Sequence, residues 1–117
     1  MSISTVDTGR QAEDRAADYL RLRGYQIVCR NYRWRGGEID LIAREGDCLV
    51  FVEVKARRGR GYGLPEEAVT PHKQHKLVRT ARRYLTEHPT ALALRFDVVA
   101  LSGGEARLHK NAFSAGE

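Results

Sequence analysis

Two apolar segments with embedded charges decide the fold of this chain. The first is Gly37-Glu38-Ile39-Asp40-Leu41-Ile42-Ala43, and the second, across a short turn, is Leu49-Val50-Phe51-Val52-Glu53-Val54-Lys55. Each segment is apolar on both faces at the strand period of two, which is typical of central strands that are covered on each side. We therefore expect these two segments to form neighbouring strands in the middle of a sheet.

The rest of the chain supplies helices and further strands around this central pair. Thr70 followed by Pro71 is typical of a helix start, and Pro89 is typical of a helix end. The predicted elements, in chain order, are a helix from Thr8 to Gly24, strands over 25–34, 38–44 and 48–56, a helix capped by Thr70 and stopped by Pro89, a strand over 95–101 and a fifth strand over 106–109. This αβββαβ order predicts an α/β fold with a mixed central sheet flanked by two helices.

Size and composition indicate one globular domain with an anionic partner. The length of 117 residues is near the common size of a domain, so we expect one domain over 1–117, with its core at about 8–109 and frayed ends. Twenty Lys and Arg against fifteen Asp and Glu give a net charge of +5, which favours a polyanionic partner.

The longest apolar run and the cysteines indicate a cytoplasmic location. That run, Cys48 to Val52, is far shorter than the roughly 20 residues that a membrane-spanning helix needs. Residues 1–7 lack the basic and apolar parts of a secretion signal. Cys29 and Cys48 have no paired spacing, so we expect buried, reduced thiols. Together these features predict a cytoplasmic protein that does not insert into a membrane.

Charged side chains interrupt both central segments. The strand period places Glu38 and Asp40 on one face of the first strand, and Glu53 and Lys55 on one face of the second. A register that brings these faces together makes three carboxylates and one ammonium group converge. Carboxylates at such short distances repel one another unless a cation or a shared proton lies among them. The alternative is a buried ion pair of Lys55 with Glu53 or Asp40 that only fixes the strand register.

A divalent cation explains several inward charges better than a single ion pair does. Mg²⁺ is typically bound by one or two carboxylates together with waters and the oxygens of a phosphate substrate. Such an ion polarises a phosphoryl oxygen and lowers the pKa of a bound water, while Lys55 holds that water or offsets charge on the phosphate. The pattern therefore predicts hydrolysis of a phosphodiester.

The first predicted helix carries a further candidate, Glu13. It lies at the centre of the inward arc of the helix, whose other members are Ala12, Ala16, Ala17, Tyr19 and Leu20. We expect its carboxylate to point at the sheet. The alternatives are that Glu13 pairs with Arg10 or Arg15, or that it reaches solvent past the small alanines.

Basic residues in a glycine-rich loop and on the second helix are candidates for contacts with nucleic acid. They are Arg57, Arg58, Arg60 and Tyr62 in the loop, and Lys73, Lys76, Arg79 and Arg83 on the helix. The helix residues either contact phosphates or form a solvated face, and the loop either clamps a backbone or is a soluble connector. Gln74 lies in the apolar arc of the helix, either as a satisfied polar residue or as a group that lines a site.

The spacing of the acidic residues resembles a known superfamily. Asp40, twelve intervening residues and then Glu53-Val54-Lys55, on adjacent strands, resemble the PD-(D/E)XK nucleases. The segment Gly9 to Glu13 and the later Gly24-Tyr25 are similar to archaeal Holliday-junction resolvases. From Gly9 through about Leu101 the chain resembles the YraN family of small bacterial proteins. The proline of the superfamily's first motif is absent, because Ile39 stands before Asp40.

The resemblance implies a restriction-endonuclease-like core and assigns roles to several residues. It implies that Asp40 and Glu53 are metal ligands, that Lys55 is the catalytic lysine and that Glu13 is the acidic residue of the helix. Glu38 and Gln74 are candidates for supporting roles.

The predicted function is that of a nuclease dependent on Mg²⁺ or Mn²⁺ that acts on DNA. By analogy with the resolvases, the expected substrate is branched or otherwise irregular DNA. A symmetric substrate of that kind favours a homodimer. Two other functions stay open. The first is a nucleic-acid-binding module without turnover, and the second is a protein-interaction or assembly factor in which the carboxylates are structural.

Overall fold

The computed structural model describes residues 5–57 and 63–115, and for residues 5–8 it describes the backbone alone. Its elements are α1 (Thr5–Leu22), β1 (Gln26–Trp34), β2 (Gly37–Glu45), β3 (Cys48–Arg57), a short 3-10 helix (Pro65–Ala68), α2 (Pro71–Glu87), β4 (Ala93–Ser102) and β5 (Glu105–Phe113).

The five strands of the described residues form one mixed sheet in the order β1-β2-β3-β4-β5. β3 and β4 are parallel, and every other neighbouring pair is antiparallel. A parallel pair requires a crossover, and the segment containing α2 supplies it. The predicted αβββαβ order and mixed sheet are therefore confirmed. The fifth strand is longer than its predicted span of 106–109.

The helix boundaries agree with the sequence at α2 and differ from it at α1. The Thr70 hydroxyl accepts a hydrogen bond from the Lys73 backbone amide at 3.4 Å, and α2 ends at Glu87, shortly before Pro89. The prediction that the first helix begins at Thr8 is wrong, because α1 begins at Thr5. No Pro or Gly lies among residues 5–8, so the backbone continues in helical geometry upstream of the capping pattern. No helix among the described residues is both long and apolar enough to cross a membrane.

One hydrophobic cluster lies on each face of the sheet. The α1 face buries Ala16, Ala17, Leu20, Tyr25, Leu41, Ala43, Val50, Val52, Val99 and Leu101. The α2 face buries Ile39, Ile42, Leu49, Phe51, Val69, Leu77, Val78, Ala81, Tyr84, Phe96 and Val98. Each fully buried Val, Leu, Ile or Phe side chain contributes about 1.5–3 kcal/mol, so β2 and β3 are held firmly from both sides, as the sequence predicts.

The cysteines are less buried than predicted. Cys29 and Cys48 are both free thiols, and both are only partly buried. Cys29 lies on β1, which is an edge strand, and Cys48 is the first residue of β3. A strand at the edge of a sheet, like the end of a strand, is covered incompletely by the helices.

A buried polar network ties β4 to the rest of the sheet. Asp97 has no exposed surface, and its carboxylate accepts hydrogen bonds from the Tyr25 hydroxyl at 2.8 Å, the Arg95 guanidinium at 2.9 Å and the Asn111 amide at 2.9 Å. Arg95 also donates to Glu45 at 2.7 Å. A buried carboxylate satisfied in this way is a structural group, since each partner fixes a different segment of the chain.

Replacing Asp97→Ala is expected to lower the free energy of unfolding by about 3–5 kcal/mol, because Arg95 and the Asn111 amide lose their buried acceptor. Urea denaturation measures this change. The matched control is Asp18→Ala, which removes an exposed ion pair with Arg21 and is expected to cost about 0–1 kcal/mol. Equal losses from the two substitutions would contradict the role given to the Asp97 network.

Candidate functional site

The candidate site begins where β2 separates from β3. Their pairing runs from Glu45 opposite Cys48 to Leu41 opposite Val52, and the described ladder stops there. At the next step the Asp40 carboxylate accepts a hydrogen bond from the Val54 backbone amide at 2.8 Å. A side chain thus bonds an amide of the neighbouring strand just beyond the ladder. β3 remains paired with β4 through Arg57, so β2 is the strand that diverges.

Asp40 and Glu53 meet at this point of separation. Glu53 lies close enough to Asp40 for its carboxyl group to act on the pKa of Asp40. Burial raises the pKa of Asp40 above its ordinary value, and hydrogen bonding with Glu53 and its negative charge raise it further. The Val54 amide and the positive charge of Lys55 act in the opposite direction. The fold therefore holds two carboxyl groups at a distance that is unfavourable when both are ionised.

Two more carboxylates lie beside Asp40. Single carboxylate oxygens of Glu13, Glu38 and Asp40 all lie within 4.8 Å of one another. The Glu13 side chain is 17% exposed, so α1 directs this carboxylate toward the sheet, and the ion pair described for it is with Arg30 at 3.9 Å, not with Arg10 or Arg15. We call Glu13, Glu38, Asp40 and Glu53 the acidic cluster.

The titration of Glu13 reflects this crowding. Burial raises the pKa of Glu13, and the negative charges of Asp40 and Glu38 raise it further. A hydrogen bond from Asn31 and the positive charge of Arg30 lower it. The structure therefore brings together Asp40, Glu53 and Glu13, with Glu38 as a fourth carboxylate that joins the group from β2.

Lys55 and Gln74 occupy different places. Lys55 is partly buried on β3, close enough for its charge to act on Asp40. Gln74 is on α2, where its amide donates to the Val69 carbonyl at 3.0 Å. It lines a cavity of about 330 Å³ together with Val98, the register partner of Glu53. The Gln74 amide is thus satisfied by backbone, and its cavity has no residue of the acidic cluster in its lining.

The predicted nucleic-acid contacts fall into three groups. Lys73, Lys76, Arg79 and Arg83 are all exposed on α2. Arg57 is partly buried at the end of β3 and donates to the Gly63 carbonyl at 3.2 Å. The other candidates in the loop, Arg58, Arg60 and Tyr62, lie outside the described residues.

The middle of α2 packs against the start of β2. A Cβ at Gly37 would lie 2.5 Å from the Thr80 hydroxyl oxygen and 3.8 Å from the Lys76 carbonyl oxygen, so only glycine permits this approach without a shift. Thr80 is fully buried and accepts a hydrogen bond from the Trp34 indole at 3.1 Å. The buried side of α2 is therefore anchored on β2 one residue away from Glu38.

Sequence reasoning missed the residues of β1 that border the acidic cluster. A cleft of about 500 Å³ adjoins Glu13 and is lined by Gly9, Arg10, Glu13, Asp14, Arg30, Asn31 and Arg33. Arg30 donates to Asp14 at 2.7 Å, and Arg33 pairs with Glu38 at 3.3 Å. The signal for them was the run Arg30-Asn31-Tyr32-Arg33, which a short hairpin places beside Asp40.

Comparison with known proteins identifies the relatives of this chain. The model of the family described as "Uncharacterised protein family UPF0102" matches residues 12–101, a span that contains the whole acidic cluster and Lys55. A UPF0102 protein of Lachnoclostridium phytofermentans is 51% identical over 109 residues, which cover 92% of each chain. A UPF0102 protein of Symbiobacterium thermophilum is 51% identical over 116 residues, covering 92% of this chain and 96% of that protein.

A third relative, from Geobacter sulfurreducens, is 50% identical over 95 residues, which cover 80% of this chain and 74% of that protein. The resemblance to the YraN family noted in the sequence is thereby confirmed, since these matches span most of the chain. The chain belongs to the uncharacterised protein family UPF0102.

Proposed function

We propose that this protein is a Mg²⁺-dependent nuclease that hydrolyses phosphodiester bonds in DNA, with branched or irregular DNA as its substrate. One observation carries the proposal. Carboxylate oxygens of Glu13, Glu38 and Asp40 lie within 4.8 Å of one another where β2 and β3 separate, and Glu53 and Lys55 of β3 are close enough to act on the pKa of Asp40. Arg30 and Arg33 pair with Glu13 and Glu38 at 3.9 Å and 3.3 Å, but an ion pair with Lys55 accounts for only one of the two remaining acids, Asp40 and Glu53.

The donor set fits a hard divalent cation. The acidic cluster offers carboxylate oxygens, which are the ligands that Mg²⁺ and Mn²⁺ prefer. Asp40 and Glu53 would hold the ion, whose positive charge would offset the repulsion between the two carboxylates. A bound ion supplies polarisation of the phosphoryl oxygen and a bound water of lowered pKa.

Lys55 is the cationic member of the proposed site. It lies two residues after Glu53 on the same strand, so both side chains leave β3 on the same face. Its ammonium group donates hydrogen bonds and carries a positive charge that offsets negative charge developing on a phosphate. Removing this charge is therefore expected to slow cleavage without releasing the metal.

Basic residues on two sides of the acidic cluster supply the proposed contacts with the DNA backbone. On one side are Lys73, Lys76, Arg79 and Arg83 on α2, and on the other are Arg10, Arg30 and Arg33 in the cleft beside Glu13. The net charge of +5 agrees with a polyanionic substrate. A homodimer would present two such sites to a symmetric branched substrate.

The first test is cleavage. The purified protein with Mg²⁺ or Mn²⁺ is expected to cut at least one member of a panel of duplex, single-stranded, flap and four-way DNA. Asp40→Asn and Lys55→Ala are expected to lower the rate by about 10²–10⁴, the usual range for removal of a catalytic group, while still binding DNA. Gel assays of cutting and of binding measure both quantities.

Asp47→Asn is the matched control, because Asp47 is an exposed carboxylate in the turn between β2 and β3. It is expected to cut like the wild type. Cutting by Asp40→Asn at the wild-type rate would reveal a contaminant. Binding without any cutting by the wild type would favour the silent nucleic-acid-binding module, and the absence of both activities would favour the assembly factor.

The second test uses the raised pKa of Asp40. Since this pKa is higher in the folded chain than in the unfolded one, the folded protein binds more protons between the two values, and its free energy of unfolding falls as pH rises through that range. Asp40→Asn cannot ionise. At pH 8 the free energy of unfolding of this variant is expected to exceed that of the wild type by about 1–2 kcal/mol, because a tenfold change in an acid constant corresponds to about 1.4 kcal/mol.

Urea unfolding with a chelator at pH 4 and pH 8 measures this difference, which should be small at the lower pH. The isosteric control Asp18→Asn alters an exposed carboxylate on α1 and should show no comparable gain. A stability difference for Asp40→Asn that does not grow with pH would contradict the raised pKa of the buried Asp40 carboxyl group.

The third test addresses the basic face of α2. A triple Lys76→Gln, Arg79→Gln and Arg83→Gln variant is expected to bind DNA more weakly and to lower the log–log salt slope by about 0.9 for each phosphate that the variant no longer neutralises. Fluorescence anisotropy over a salt series measures the slope. The charge-matched control replaces the exposed Arg15 and Arg21 of α1, and the exposed Arg23 just after it, by Gln. Equal reductions of the slope in the two variants would indicate a general charge effect and no α2 contact.

A further inference from the structure

Asn31 has a backbone conformation that is unusual within a strand. Its φ angle is +56°, in the left-handed region that residues other than Gly, Asn and Asp rarely adopt. In the register of β1 and β2, Arg30 is opposite Leu41 and Tyr32 is opposite Ile39. Asn31 therefore lies opposite Asp40, at the step where β2 leaves β3.

Both strands change face at this step. Arg30 bonds Asp14 of α1, whereas Tyr32 packs edge-on against Tyr84 of α2 with ring centroids 5.2 Å apart. Residues two apart in a regular strand point to the same face, so β1 departs from the strand period at Asn31.

The same departure occurs on β2. Leu41 is buried in the cluster under α1, and Ile39 is buried in the cluster under α2, although they are two residues apart. Asp40 lies between them. Its side chain is thereby free to reach across to the Val54 amide while its carboxylate stays close to Glu13 and Glu38.

The side chain of Asn31 has a second contact that points toward the acidic cluster. Asn31 and Glu13 of α1 line the same cleft, and hydrogen bonding by the Asn31 side chain lowers the pKa of the Glu13 carboxyl group. An amide N–H is the donor in such a bond, so Asn31 holds the carboxylate without neutralising its charge. Arg30, the neighbouring residue on β1, approaches the same carboxylate at 3.9 Å.

We infer that Asn31 is a positioning residue: its backbone turns β1 and β2 together at Asp40, and its amide holds the Glu13 carboxylate toward the acidic cluster. The residue type follows from these two tasks. Glycine accepts the left-handed φ and offers no donor, and aspartate tolerates that φ and also lacks a donor. The expected effect on metal affinity rests on the proposed function, whereas the bond between Asn31 and Glu13 does not.

Asn111 provides a matched control within the same chain. It has a φ angle of +53° on β5, at the opposite edge of the sheet from β1. Its contact with Asp97 is made by the backbone amide, which a glycine retains. Asn111→Gly therefore repeats the backbone change of Asn31→Gly at a distance from the acidic cluster.

The first measurement needs no metal. In a ¹⁵N–¹H spectrum, Glu13→Ala is expected to move the side-chain amide signals of Asn31 and to leave those of Asn111 in place. Unchanged Asn31 signals would overturn the inference, whether or not the protein binds a metal.

The second measurement is Mn²⁺ affinity by calorimetry. Asn31→Gly is expected to raise the Kd for Mn²⁺ by about tenfold or more, as is usual when a residue that orients a group of a metal site is removed, and Asn111→Gly is expected to leave it unchanged. In the Glu13→Ala background, Asn31→Gly is expected to have no further effect, because the carboxylate that it positions is gone.

Additive effects of Glu13→Ala and Asn31→Gly, or a wild-type Kd in Asn31→Gly, would overturn the inference. If the wild-type protein binds no Mn²⁺, the proposed function fails, and the amide signals alone decide whether Asn31 holds Glu13.

Discussion

The hydrogen bond from the Val54 amide to the Asp40 carboxylate marks the point on which the candidate site depends. Up to that point β2 and β3 are joined by backbone bonds, and at that point a side chain provides the acceptor. β3 continues beside β4, so the two central strands open only on the β2 side. The opening admits carboxylates from three elements to one small volume, because it removes the strand contact that otherwise fills that space.

Holding carboxylates together in this way costs free energy, and interactions elsewhere in the fold offset that cost. Burial disfavours an ionised carboxyl group, and Asp40 and Glu53 repel each other when both are ionised. Hydrophobic clusters on both faces hold β2 and β3 in place, and the Asp97 network fixes β4 to the start of β1, to β2 and to β5. Strained, polar sites of this kind persist only where the surroundings determine the structure firmly.

Much of the architecture was predictable because it follows from local patterns. Apolar residues on both faces of two short segments identify central strands, and the Thr70-Pro71 start and the Pro89 end delimit α2. The inward arc of α1 was sufficient to direct Glu13 at the sheet, because a helix presents every third or fourth residue to the same side. The start of α1 was missed because a capping pattern is local and does not stop a helix from extending upstream.

The contributions of β1 were not predictable in the same way. β1 is an edge strand with an irregularity between Ile27 and Cys29 and a left-handed residue at Asn31, so its side chains do not follow the period of two. The rule that residues two apart in a strand lie on the same face of the sheet therefore fails for Arg30 and Tyr32. The contacts of Asn31 and Arg30 with residues of α1 are long-range, and no local pattern encodes them.

By itself the sequence determined the order of the elements, the central position of β2 and β3, and which charged residues they carry, since these depend on local hydrophobic periodicity and on helix-stop signals. Only the tertiary structure decided that Asp40 bonds the Val54 amide, that Glu13 and Glu38 join it, and that Gln74 lies at a separate cavity. The physical reason is that the divergence of two paired strands depends on what both strands contact on each face, and those contacts come from residues far apart in the chain.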